Sequence, residues 1–463
     1  MKPSIPQGTR DFSPTIVRRR QYIFKKLQSI FELYGFQPLE TPAMENLVTL
    51  TGKYGEEGDR LIFKILNNGL HEKKESDKDK LSQEWLKMLQ QPYASPLVTE
   101  RALRYDLTIP FARYVAMNQN DIALPFRRYQ MQPVWRADRP QRGRYREFWQ
   151  CDCDVVGSNS LINEAELVCI YQEAFHALNI PQVQIKINSR KLLMGLAEIA
   201  GVPELMMEMT IALDKLDKIG WEGVEKELTQ RGLNEQGISI IKKLMSISGS
   251  NENQIADLKL AMQNSSIGLA GIAEIEQTLA YHQSLASKDW KASLVLDLSL
   301  ARGLNYYTGV IVEVTTSAVK MGSIGGGGRY DDLTSLFGVK GISGVGISFG
   351  IDRIYDVLEE LNLFPSQLNG GAKVMIVNFG KELELYALQI LHKLRLQGIS
   401  AEIYPEASKF DKQMKYANKR SFSFVIIPGE EEHQKGLLSL KNFETGNQQL
   451  LTIEQAVSIL KAQ

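Results

Sequence analysis

The sequence has few cysteines and no long apolar run. Its 463 residues include three cysteines, Cys151, Cys153 and Cys169, which are too few and too close together for a disulfide framework. Residues 1–10 contain no apolar core of signal-peptide length, and no stretch elsewhere is apolar enough to cross a bilayer. We therefore expect a soluble protein of the reducing cytoplasm.

The chain also lacks an excess of charge of either sign. Its 54 basic and 54 acidic side chains cancel, so any contact with nucleic acid must come from local patches rather than from an overall positive field. A chain of 463 residues is long enough for two or three domains with substantial cores. The composition thus excludes a uniformly basic nucleic-acid binder.

Two common ligand motifs are incomplete in this sequence. Neither Gly325–Gly328 nor Gly341–Gly346 follows a strand and opens a helix in a βαβ unit, so a dinucleotide site is not predicted. We instead expect Gly325–Gly328 to form a loop that allows close backbone approach and closes over a small ligand. Cys151-x-Cys153 has no second Cys/His pair at zinc spacing, which favours alternating strand residues and predicts no zinc site.

The segment from Phe126 to Asp154 is rich in arginine. It contains Arg127, Arg128, Arg136, Arg139, Arg142, Arg144 and Arg146. Forked guanidinium groups bind phosphate oxygens bidentately and keep their charge when desolvated. The segment therefore favours a site for a polyphosphate or a nucleic acid.

The same segment has the pattern of a β-hairpin. The strand-like residues 145–156 follow a turn signal at Pro140 and Gly143, so two strands would present Arg136 and Phe148 to one site. A solvated basic hairpin is the alternative. It explains the charges but not the aromatic residues that interleave with them.

A second segment combines a cation, a tight turn and two phenols, in the order Arg302-Gly303-Leu304-Asn305-Tyr306-Tyr307. It lies between residues 294–298 and 310–314. These two segments are predicted strands, because their side chains alternate in polarity or are β-branched. Such a run can bind an anion and contact a small polar ring on the floor of a sheet. Taken alone, it is equally consistent with an ordinary strand that has tyrosines in a core and an arginine in a salt bridge.

These segments resemble the motifs of a known enzyme family. Residues 126–154 resemble motif 2 of the class II aminoacyl-tRNA synthetases, and residues 302–307 resemble the histidine-specific motif of the histidyl-tRNA synthetase family. Three consecutive segments together resemble motif 1: Gly8–Asp11, a helix predicted over Pro14–Tyr34 and a strand ending at Pro42. Motif 3 is resembled by Gly346–Arg353. With the C-terminal segment, the resemblance spans nearly the whole chain.

The resemblance implies an α/β (α+β) fold: a class II synthetase core of antiparallel sheet flanked by helices, a helical insertion domain and a C-terminal α/β anticodon-binding domain. Helical periodicity without strand signals from Lys191 to about Ser287 agrees with this. The expected segments are 1–188 (core with motifs 1 and 2), 189–290 (helical insertion), 291–365 (core with the histidine motif and motif 3) and 372–463 (anticodon binding). His71–Lys80, in a lysine- and acid-rich stretch, is expected to be a flexible or lineage-specific insertion.

The activity implied by the resemblance is that of a histidine–tRNA ligase. L-Histidine and ATP would give histidyl-adenylate and pyrophosphate, and histidine would pass to the 3′ end of tRNA(His). Arg136 and Arg302 are carried over as catalytic cations at the α-phosphate, where preorganised charge stabilises the transition state. Mg²⁺ would be carried by ATP, with no metal held by the protein. The ATP-binding candidates are Arg136, Arg144, Tyr145, Phe148 and Arg353.

The resemblance also implies a histidine pocket. Its candidates are Asp106, Thr108, Gln150, Asp154, Arg302, Tyr306 and Tyr307. Asp154 and Tyr307 are carried over as partners of the two ring nitrogens, a buried polar pair that would reject apolar analogues. The alternative is that Asp106 and Asp154 each pair with a nearby arginine, which for Asp106 would be Arg104.

Two patches are candidates for tRNA binding. They are Arg139, Gln141 and Arg142 at the tip of the hairpin, and Lys412, Lys415, Lys419 and Arg420 at helical spacing near the C-terminus. A charge run is usually a solvated face, but the resemblance assigns the second patch to anticodon binding. The implied partners are tRNA(His), ATP, L-histidine and a second copy of the chain, with no membrane.

Two rival functions are open at this point. One is a non-catalytic relative that binds histidine as the regulatory subunit of a biosynthetic transferase; such proteins lack the C-terminal domain and erode the ATP-binding arginines, whereas this chain keeps Arg136, Arg302 and Arg353. The other is a neighbouring class II synthetase for proline, threonine or glycine, against which residues 302–307 argue.

Overall fold

A computed structural model describes residues 2–52, 54–90, 95–301, 306–369 and 373–462. The chain divides into two compact units. The first comprises Met1–Asp11 and Arg20–Leu363, and the second comprises Phe12–Arg19 and Phe364–Gln463. The finer division of residues 1–365 into core and insertion stays a prediction.

Helices and strands are numbered along the described chain. The α-helices are α1 (Pro14–Leu33), α2 (Leu47–Leu50), α3 (Gly55–Leu61), α4 (Glu75–Gln90), α5 (Thr108–Met117), α6 (Ile162–Ala177), α7 (Arg190–Ile199), α8 (Met206–Leu213), α9 (Leu216–Gln230), α10 (Glu235–Met245), α11 (Asn251–Ala261), α12 (Ser266–Leu285), α13 (Ile351–Glu360), α14 (Lys381–Leu396), α15 (Phe410–Lys419), α16 (Glu430–Gln434) and α17 (Ile453–Ala462). The strands are β1 (Gln37–Pro38), β2 (Met44–Asn46), β3 (Lys64–Ile65), β4 (Arg101–Leu103), β5 (Phe126–Trp135), β6 (Glu147–Val156), β7 (Val183–Ser189), β8 (Ser293–Leu296), β9 (Val310–Thr316), β10 (Gly325–Tyr330), β11 (Gly344–Gly350), β12 (Val374–Ile376), β13 (Ala401–Ile403), β14 (Phe424–Ile427), β15 (Leu438–Asn442) and β16 (Gln448–Leu451). Short 3-10 helices occupy Leu70–Glu72, Pro203–Leu205, Leu333–Phe337 and Ser366–Asn369.

The first unit is built around a sheet with the strand order β1-β5-β6-β11-β10-β9-β7-β8. Neighbours from β5 to β7 are antiparallel, while β1 and β8 at the two edges pair in parallel. Strands β5 and β6 pair over their whole length, with Phe126 opposite Val156 and Trp135 opposite Glu147. The predicted hairpin and the predicted antiparallel core are both confirmed.

Odd-numbered side chains of the central strands pack against helices. The ring of Phe31 on α1 lies 5.6 Å from Tyr129 on β5 and 5.8 Å from Phe349 on β11, measured between centroids. Tyr171 on α6 lies 4.7 Å from the same Phe349. Because side chains alternate along a strand, the even-numbered residues of these strands point to the opposite face of the sheet.

Helices α7 to α12 pack together around their own apolar core, which includes Leu193, Met209, Val224 and Ile241. Helix α7 begins at a sequence-encoded cap, where the Ser189 hydroxyl accepts a hydrogen bond from the Lys191 amide at 3.2 Å. The helical periodicity predicted for this region is therefore confirmed.

The second unit is a small α/β structure around the sheet β13-β12-β14-β15-β16. Strands β13, β12 and β14 run parallel, and β15 and β16 continue the sheet in antiparallel fashion. Helices α14 and α17 cover one face of this sheet, where Ile376 is buried, and α15 covers the other, where Met375 is buried. The predicted α/β tail is confirmed.

Three local expectations were wrong. Gly325–Gly328 is not a loop, because these residues begin β10 and are paired on both sides, to β9 and to β11. Part of the expected flexible insertion is helical, since α4 covers Glu75–Gln90, although none of its described side chains is buried. The strand expected to end at Pro42 is limited to Gln37–Pro38.

One finding bears on membranes. Among the described residues, no helix combines the length and the apolar character that crossing a bilayer needs.

Strand β10 begins with four glycines, and its neighbours leave little room for side chains there. A Cβ on Gly327 would overlap the carbonyl oxygen of Gly346 on β11, whereas a Cβ on Gly326 would lie 3.3 Å from its nearest neighbour. We predict that Gly327→Ala destabilises the protein by about 3 kcal/mol, since backbone atoms must move to admit the methyl group. Urea unfolding tests this, with Gly326→Ala as the matched control; equal losses in the two variants would contradict it.

Candidate active site

The face of the large sheet that α1 and α6 leave uncovered carries a central patch of polar side chains. They stand in register on three strands: Arg128, Gln130 and Gln132 on β5 lie opposite Asp154, Asp152 and Gln150 on β6, and Ser348 on β11 lies opposite Asp152. Within the patch Gln130 donates to Gln132 at 2.6 Å and Gln150 donates to Ser348 at 2.9 Å, whereas several other polar atoms have no hydrogen-bond partner among the described residues. We call these seven residues the polar floor.

An open cleft of about 280 Å³ adjoins the polar floor. The predicted ATP-binding residues Arg136, Arg144, Tyr145, Phe148 and Arg353 all line it, together with Gln150 of the polar floor. Arg136 and Arg353 are more than two hundred residues apart in the sequence. The fold brings them together because β11 leads directly into α13, where Arg353 stands, beside β6.

Arg136 is held in place without a carboxylate. Its Nε donates a hydrogen bond to the Tyr105 carbonyl oxygen at 3.0 Å. Its guanidinium carbon lies 4.2 Å from the centre of the Tyr105 ring and 5.2 Å from that of Phe148. Among the described residues no acidic side chain forms an ion pair with it, so this fixed cation is open to an anion in the cleft.

Arg353 forms the opposite wall of the cleft. Its Nε donates to the Gly143 carbonyl oxygen at 2.9 Å, and its Nη1 donates to the Ser323 carbonyl oxygen at 2.5 Å. Gly143 has φ +68°, and a Cβ there would lie 3.3 Å from the Arg353 side chain. Glycine is therefore required at the hairpin turn both for its backbone conformation and for the approach of the arginine.

Asp106 is buried, and three donors hold its carboxylate. Oδ1 accepts from the Tyr54 hydroxyl at 2.9 Å and from the Ile109 amide at 3.1 Å, and Oδ2 accepts from the Tyr306 hydroxyl at 3.3 Å. Burial raises the pKa of Asp106, although these donors oppose the shift. The predicted neighbours Asp106 and Tyr306 are thus in direct contact, and Thr108 begins α5 beside them.

Arg104 does not pair with Asp106. Its guanidinium is buried and donates to the carbonyl oxygens of Thr41 at 2.6 Å and Pro133 at 2.8 Å. Burial lowers the pKa of Arg104 to about 10. The alternative interpretation of Asp106 as half of an ordinary ion pair with Arg104 is therefore wrong.

Asp154, in contrast, does pair with an arginine. Its Oδ2 lies 2.9 Å from Nη2 of Arg128, the residue directly opposite on β5, and its Oδ1 accepts from the Tyr330 hydroxyl at 2.6 Å. Burial raises the pKa of Asp154, while Arg128 opposes the shift. Gly346 stands opposite on β11, where a Cβ would overlap the carboxylate.

Tyr306 and Tyr307 pack against each other beside Asp106. Their ring centroids lie 5.0 Å apart, and Tyr306 also packs edge-on against Tyr330 at 6.2 Å. A Cβ on Gly328 would lie 2.9 Å from the Tyr307 ring, so the glycine strand β10 makes room for this side chain. Burial raises the pKa of Tyr307, which keeps its hydroxyl protonated and able to donate.

Other predicted site residues lie elsewhere. Arg302 is outside the described residues. At the hairpin tip Arg139 is exposed, Gln141 bridges to Arg144, and Arg142 pairs with Glu360. In the second unit, Lys412, Lys415, Lys419 and Arg420 are all exposed on α15 and at its C-terminal end.

Asp152 was not singled out by the sequence analysis, although it lies at the centre of the polar floor. It is 2% exposed, and its Oδ1 has no hydrogen-bond partner among the described residues. Burial raises the pKa of Asp152 to about 7, against the lowering effect of Arg128. The signal was present in the sequence, because Gln150, Asp152 and Asp154 alternate with apolar or aromatic residues at the period of a strand.

Metal ligands are not clustered in the described part of the chain. Its residues contain no group of three or more His, Cys, Asp or Glu side chains that could hold a metal ion. Cys151 and Cys153 are buried in β6, opposite Met131 and Tyr129 of β5.

Comparison with known proteins gives consistent matches along the chain. Residues 76–354 match the family model described as "Histidyl-tRNA synthetase", and residues 373–463 match the one described as "Anticodon binding domain". The chain is 50% identical over 461 residues to the histidine–tRNA ligase of Phocaeicola vulgatus, covering 100% of this chain and 99% of that protein. It is 52% identical over 464 residues to that of Christiangramia forsetii, covering 99% of each.

Solved structures agree with these relatives. The crystal structure of histidyl-tRNA synthetase from Nostoc sp. PCC 7120 matches with a TM-score of 0.81 and 30% identity, over 100% of this chain and 99% of that chain. An ATP phosphoribosyltransferase regulatory subunit/histidyl-tRNA synthetase from Bacillus halodurans matches with a TM-score of 0.72 and 21% identity, over 92% and 99%. The second likeness shows the fold alone.

Asp152 makes the stability depend on pH. Its pKa rises from 3.8 to about 7 on folding, so between these values the folded chain keeps a proton that the unfolded chain has released. Stability should therefore fall as pH rises from about 4 to about 7, by at most about 1.4 kcal/mol per pH unit from this group. Over that pH range, the free energy of unfolding measured in urea should fall less for Asp152→Asn than for wild type. For the exposed control Asp121→Asn it should fall as much as for wild type. Identical slopes for wild type and Asp152→Asn would refute this.

Proposed function

The chain belongs to the histidyl-tRNA synthetase family, and on that premise we propose that it is a histidine–tRNA ligase. It joins L-histidine to the adenylyl group of ATP with release of pyrophosphate, and then transfers histidine from the adenylate to the 3′ end of tRNA(His) with release of AMP. The observation that carries the proposal is Arg136, an oriented arginine without an acidic partner among the described residues, in a cleft that shares Gln150 with the polar floor.

In the proposed first step, the histidine carboxylate attacks the α-phosphate of ATP. Negative charge accumulates on the phosphate oxygens as the new bond forms, and a cation already in position stabilises this state without reorganisation. Arg136 has that role, because its guanidinium is fixed by a backbone carbonyl and two rings. Arg302 is proposed to contact the same phosphate and the histidine carboxylate.

Adenine is proposed to lie between Phe148 and Arg353. An aromatic ring offers one π-face, and a guanidinium stacks on the other. The two hydrogen bonds from Arg353 to backbone carbonyls hold the plane of its guanidinium. Arg144 and Tyr145 line the same cleft and contact the remaining phosphates. ATP enters as its Mg²⁺ complex, so the metal belongs to the substrate.

Histidine is proposed to bind across the polar floor. Asp106, Thr108 and Gln150 hold its α-ammonium and carboxylate groups; Gln150 donates to Ser348 at 2.9 Å, which leaves its buried Oε1 free of partners among the described residues. Asp154 and Tyr307 contact the two imidazole nitrogens, and Tyr306 orients Asp106. A bound ammonium group would favour the charged form of Asp106, whose pKa burial raises in the free protein.

Transfer RNA is proposed to contact the hairpin tip through Arg139, Gln141 and Arg142, and α15 through Lys412, Lys415, Lys419 and Arg420. All seven side chains are exposed, and all except the neutral Gln141 offer cations to phosphates. By family, the protein is proposed to act in the cytoplasm as a homodimer. Leu33, Met44 and Val48 of the first unit are exposed apolar residues that a second copy would cover.

The regulatory-subunit alternative fits less well. Such a protein needs no ATP site, whereas Arg136 and Arg353 line the same cleft here, and the chain continues into the five-stranded α/β sheet of the second unit. A ligase for another amino acid would not need the paired polar groups Asp154 and Tyr307.

We predict that Arg136→Ala lowers the rate of histidine-dependent ATP–pyrophosphate exchange by about 100- to 1,000-fold, because no other described cation replaces it at the α-phosphate. The matched control is Arg139→Ala, an arginine of the same hairpin that does not line the cleft; it should exchange at the wild-type rate. Equal rates for wild type and Arg136→Ala would remove Arg136 from the reaction.

Tyr307→Phe tests the histidine pocket. Removing one hydroxyl leaves an imidazole nitrogen without its partner, which should raise the KM for histidine by roughly tenfold or more, while the KM for ATP stays within twofold. Tyr281→Phe on α12, outside the site, is the control. If the two variants showed the same histidine dependence, Tyr307 would not belong to the pocket.

A further inference from the structure

Residues 7–10, which we call the N-terminal strap, have no part in the steps described above. The strap lies against the hairpin. The Arg146 amide donates to the Gly8 carbonyl oxygen at 2.9 Å, and Nη1 of Arg146 donates to the Gln7 carbonyl oxygen at 3.4 Å. Gly8 has φ +83°, and a Cβ there would lie 2.7 Å from the Arg146 side chain. Glycine therefore allows the strap to lie directly on the hairpin.

The last residue of the strap, Arg10, contacts two side chains of the cleft around Arg136. Its guanidinium carbon lies 3.3 Å from the centre of the Tyr145 ring, which is the geometry of a cation–π contact. Its Nη2 donates to Oδ1 of Asp352. Tyr145 and Asp352 both line the cleft, whereas Arg10 is not among the described residues that line it. Arg10 therefore reaches the cleft only through these two side chains.

Asp352 is held from three sides. Its Oδ1 accepts from Arg10 and, at 2.6 Å, from Nη1 of Arg20 on α1, while its Oδ2 accepts from the Trp149 amide on β6 at 3.1 Å. The carboxylate is 5% exposed. A buried carboxylate that loses a cationic partner is strongly destabilised and changes its position or its neighbours. Asp352 thus links the strap, α1 and β6 at one point.

That point determines where Arg353 begins. Arg353 follows Asp352 in the first turn of α13, so a shift of Asp352 moves the backbone of Arg353 as well. The carbonyl oxygens that orient the Arg353 guanidinium belong to Gly143 and Ser323, neither of which is on α13. The alignment of Arg353 with these two acceptors therefore depends on how firmly the start of the helix is held.

The strap also changes the charge of the cleft wall. A carboxylate in the wall of a cleft that receives a polyphosphate would repel it, and two guanidinium groups beside the carboxylate offset that repulsion. Arg10 and Arg20 supply these groups to Asp352. Of the two, Arg10 also supports Tyr145, so its loss would affect two walls of the cleft at once.

We propose that Arg10 is a positioning residue for ATP. It supports the Tyr145 ring from behind, and through Asp352 it fixes the start of the helix that carries Arg353. This inference rests on the proposed function and adds a residue from outside the cleft to the binding of one substrate. An ion pair with a structural role alone would change the stability of the chain but not the KM for ATP.

The first experiment measures histidine-dependent ATP–pyrophosphate exchange by the full chain. Arg10→Met keeps an apolar stem but removes the charge, and it should raise the KM for ATP by about 10- to 30-fold. The KM for histidine, and kcat at saturating ATP, should stay within about twofold of wild type, because the contacts of Arg136 and of the polar floor are unchanged. Arg10→Lys keeps the charge and should recover most of the wild-type KM for ATP.

The matched control is Arg127→Met. Arg127 pairs with Glu166 at 2.6 Å, and its side chain is 28% exposed against 26% for Arg10. This ion pair lies on the face of the sheet that the helices cover, so its loss should leave the KM for ATP unchanged. Asp352→Asn and the double variant Arg10→Met/Asp352→Asn complete a cycle. If Arg10 acts through Asp352, the double variant should raise the KM for ATP by less than the product of the two single increases.

The proposal is overturned if folded Arg10→Met has the wild-type KM for ATP, if it raises the KM for histidine equally, or if the cycle shows no coupling. If Arg10→Met does not fold, Arg10→Gln decides by the same criteria, because it keeps a donor for Asp352 without the charge. Calorimetric titration with Mg·ATP separates the two proposals. A wild-type chain that binds Mg·ATP but catalyses no exchange would refute the proposed function, while the ratio of the variant and wild-type Kd values would still decide the role of Arg10.

Discussion

The register of three neighbouring strands determines the rest of the site. Arg128 on β5, Asp154 on β6 and Gly346 on β11 stand in one row, and a slip of one residue would turn every polar side chain of the floor toward the helices. The buried ion pair between Arg128 and Asp154 opposes such a slip, because a slip would separate two charges that are both buried. The glycine in the row admits the carboxylate, and the glycines of β10 admit Tyr307 behind it. The same alternation that buries Phe349 against α1 and α6 therefore presents the polar floor on the opposite face of the sheet.

This arrangement lowers the stability of the free protein. Asp106, Asp152 and Asp154 are each at most 2% exposed, and burial raises the pKa of all three. A ligand with an ammonium group and a ring that donates hydrogen bonds would give these carboxylates a cation and further donors. In the proposed function, the free energy given up by burying these carboxylates on folding is recovered when histidine binds, which favours a histidine-like cation over an apolar amino acid. The cleft around Arg136 shows the opposite arrangement, with a cation that has no acidic partner among the described residues.

Several elements of the fold could be predicted from the sequence, and the features that could not be predicted depend on contacts between distant parts of the chain. The β5–β6 hairpin, helix α1 and the α/β tail were predicted because their periodicity and turn residues are local. The strand β10 was mistaken for a loop because glycines carry no pattern of burial; only its two neighbours make it a strand. The partner of Asp106 was also missed. Arg104 is close in sequence, but its side chain points to carbonyl groups, and the carboxylate is held by Tyr54 and Tyr306, which are distant along the chain. Asp152 belongs to an alternation of polar and apolar residues that is visible in the sequence. Its place at the centre of the polar floor, however, depends on Gln130 and Ser348 on the neighbouring strands.

The central claim is that the polar floor and the Arg136 cleft together select histidine and activate it with ATP. ATP–pyrophosphate exchange by the full-length chain, measured separately with each of the twenty amino acids, tests this most directly. We expect exchange with histidine and none above background with the other nineteen. Exchange supported by proline, threonine or glycine in place of histidine, or histidine binding with no exchange at all, would contradict it.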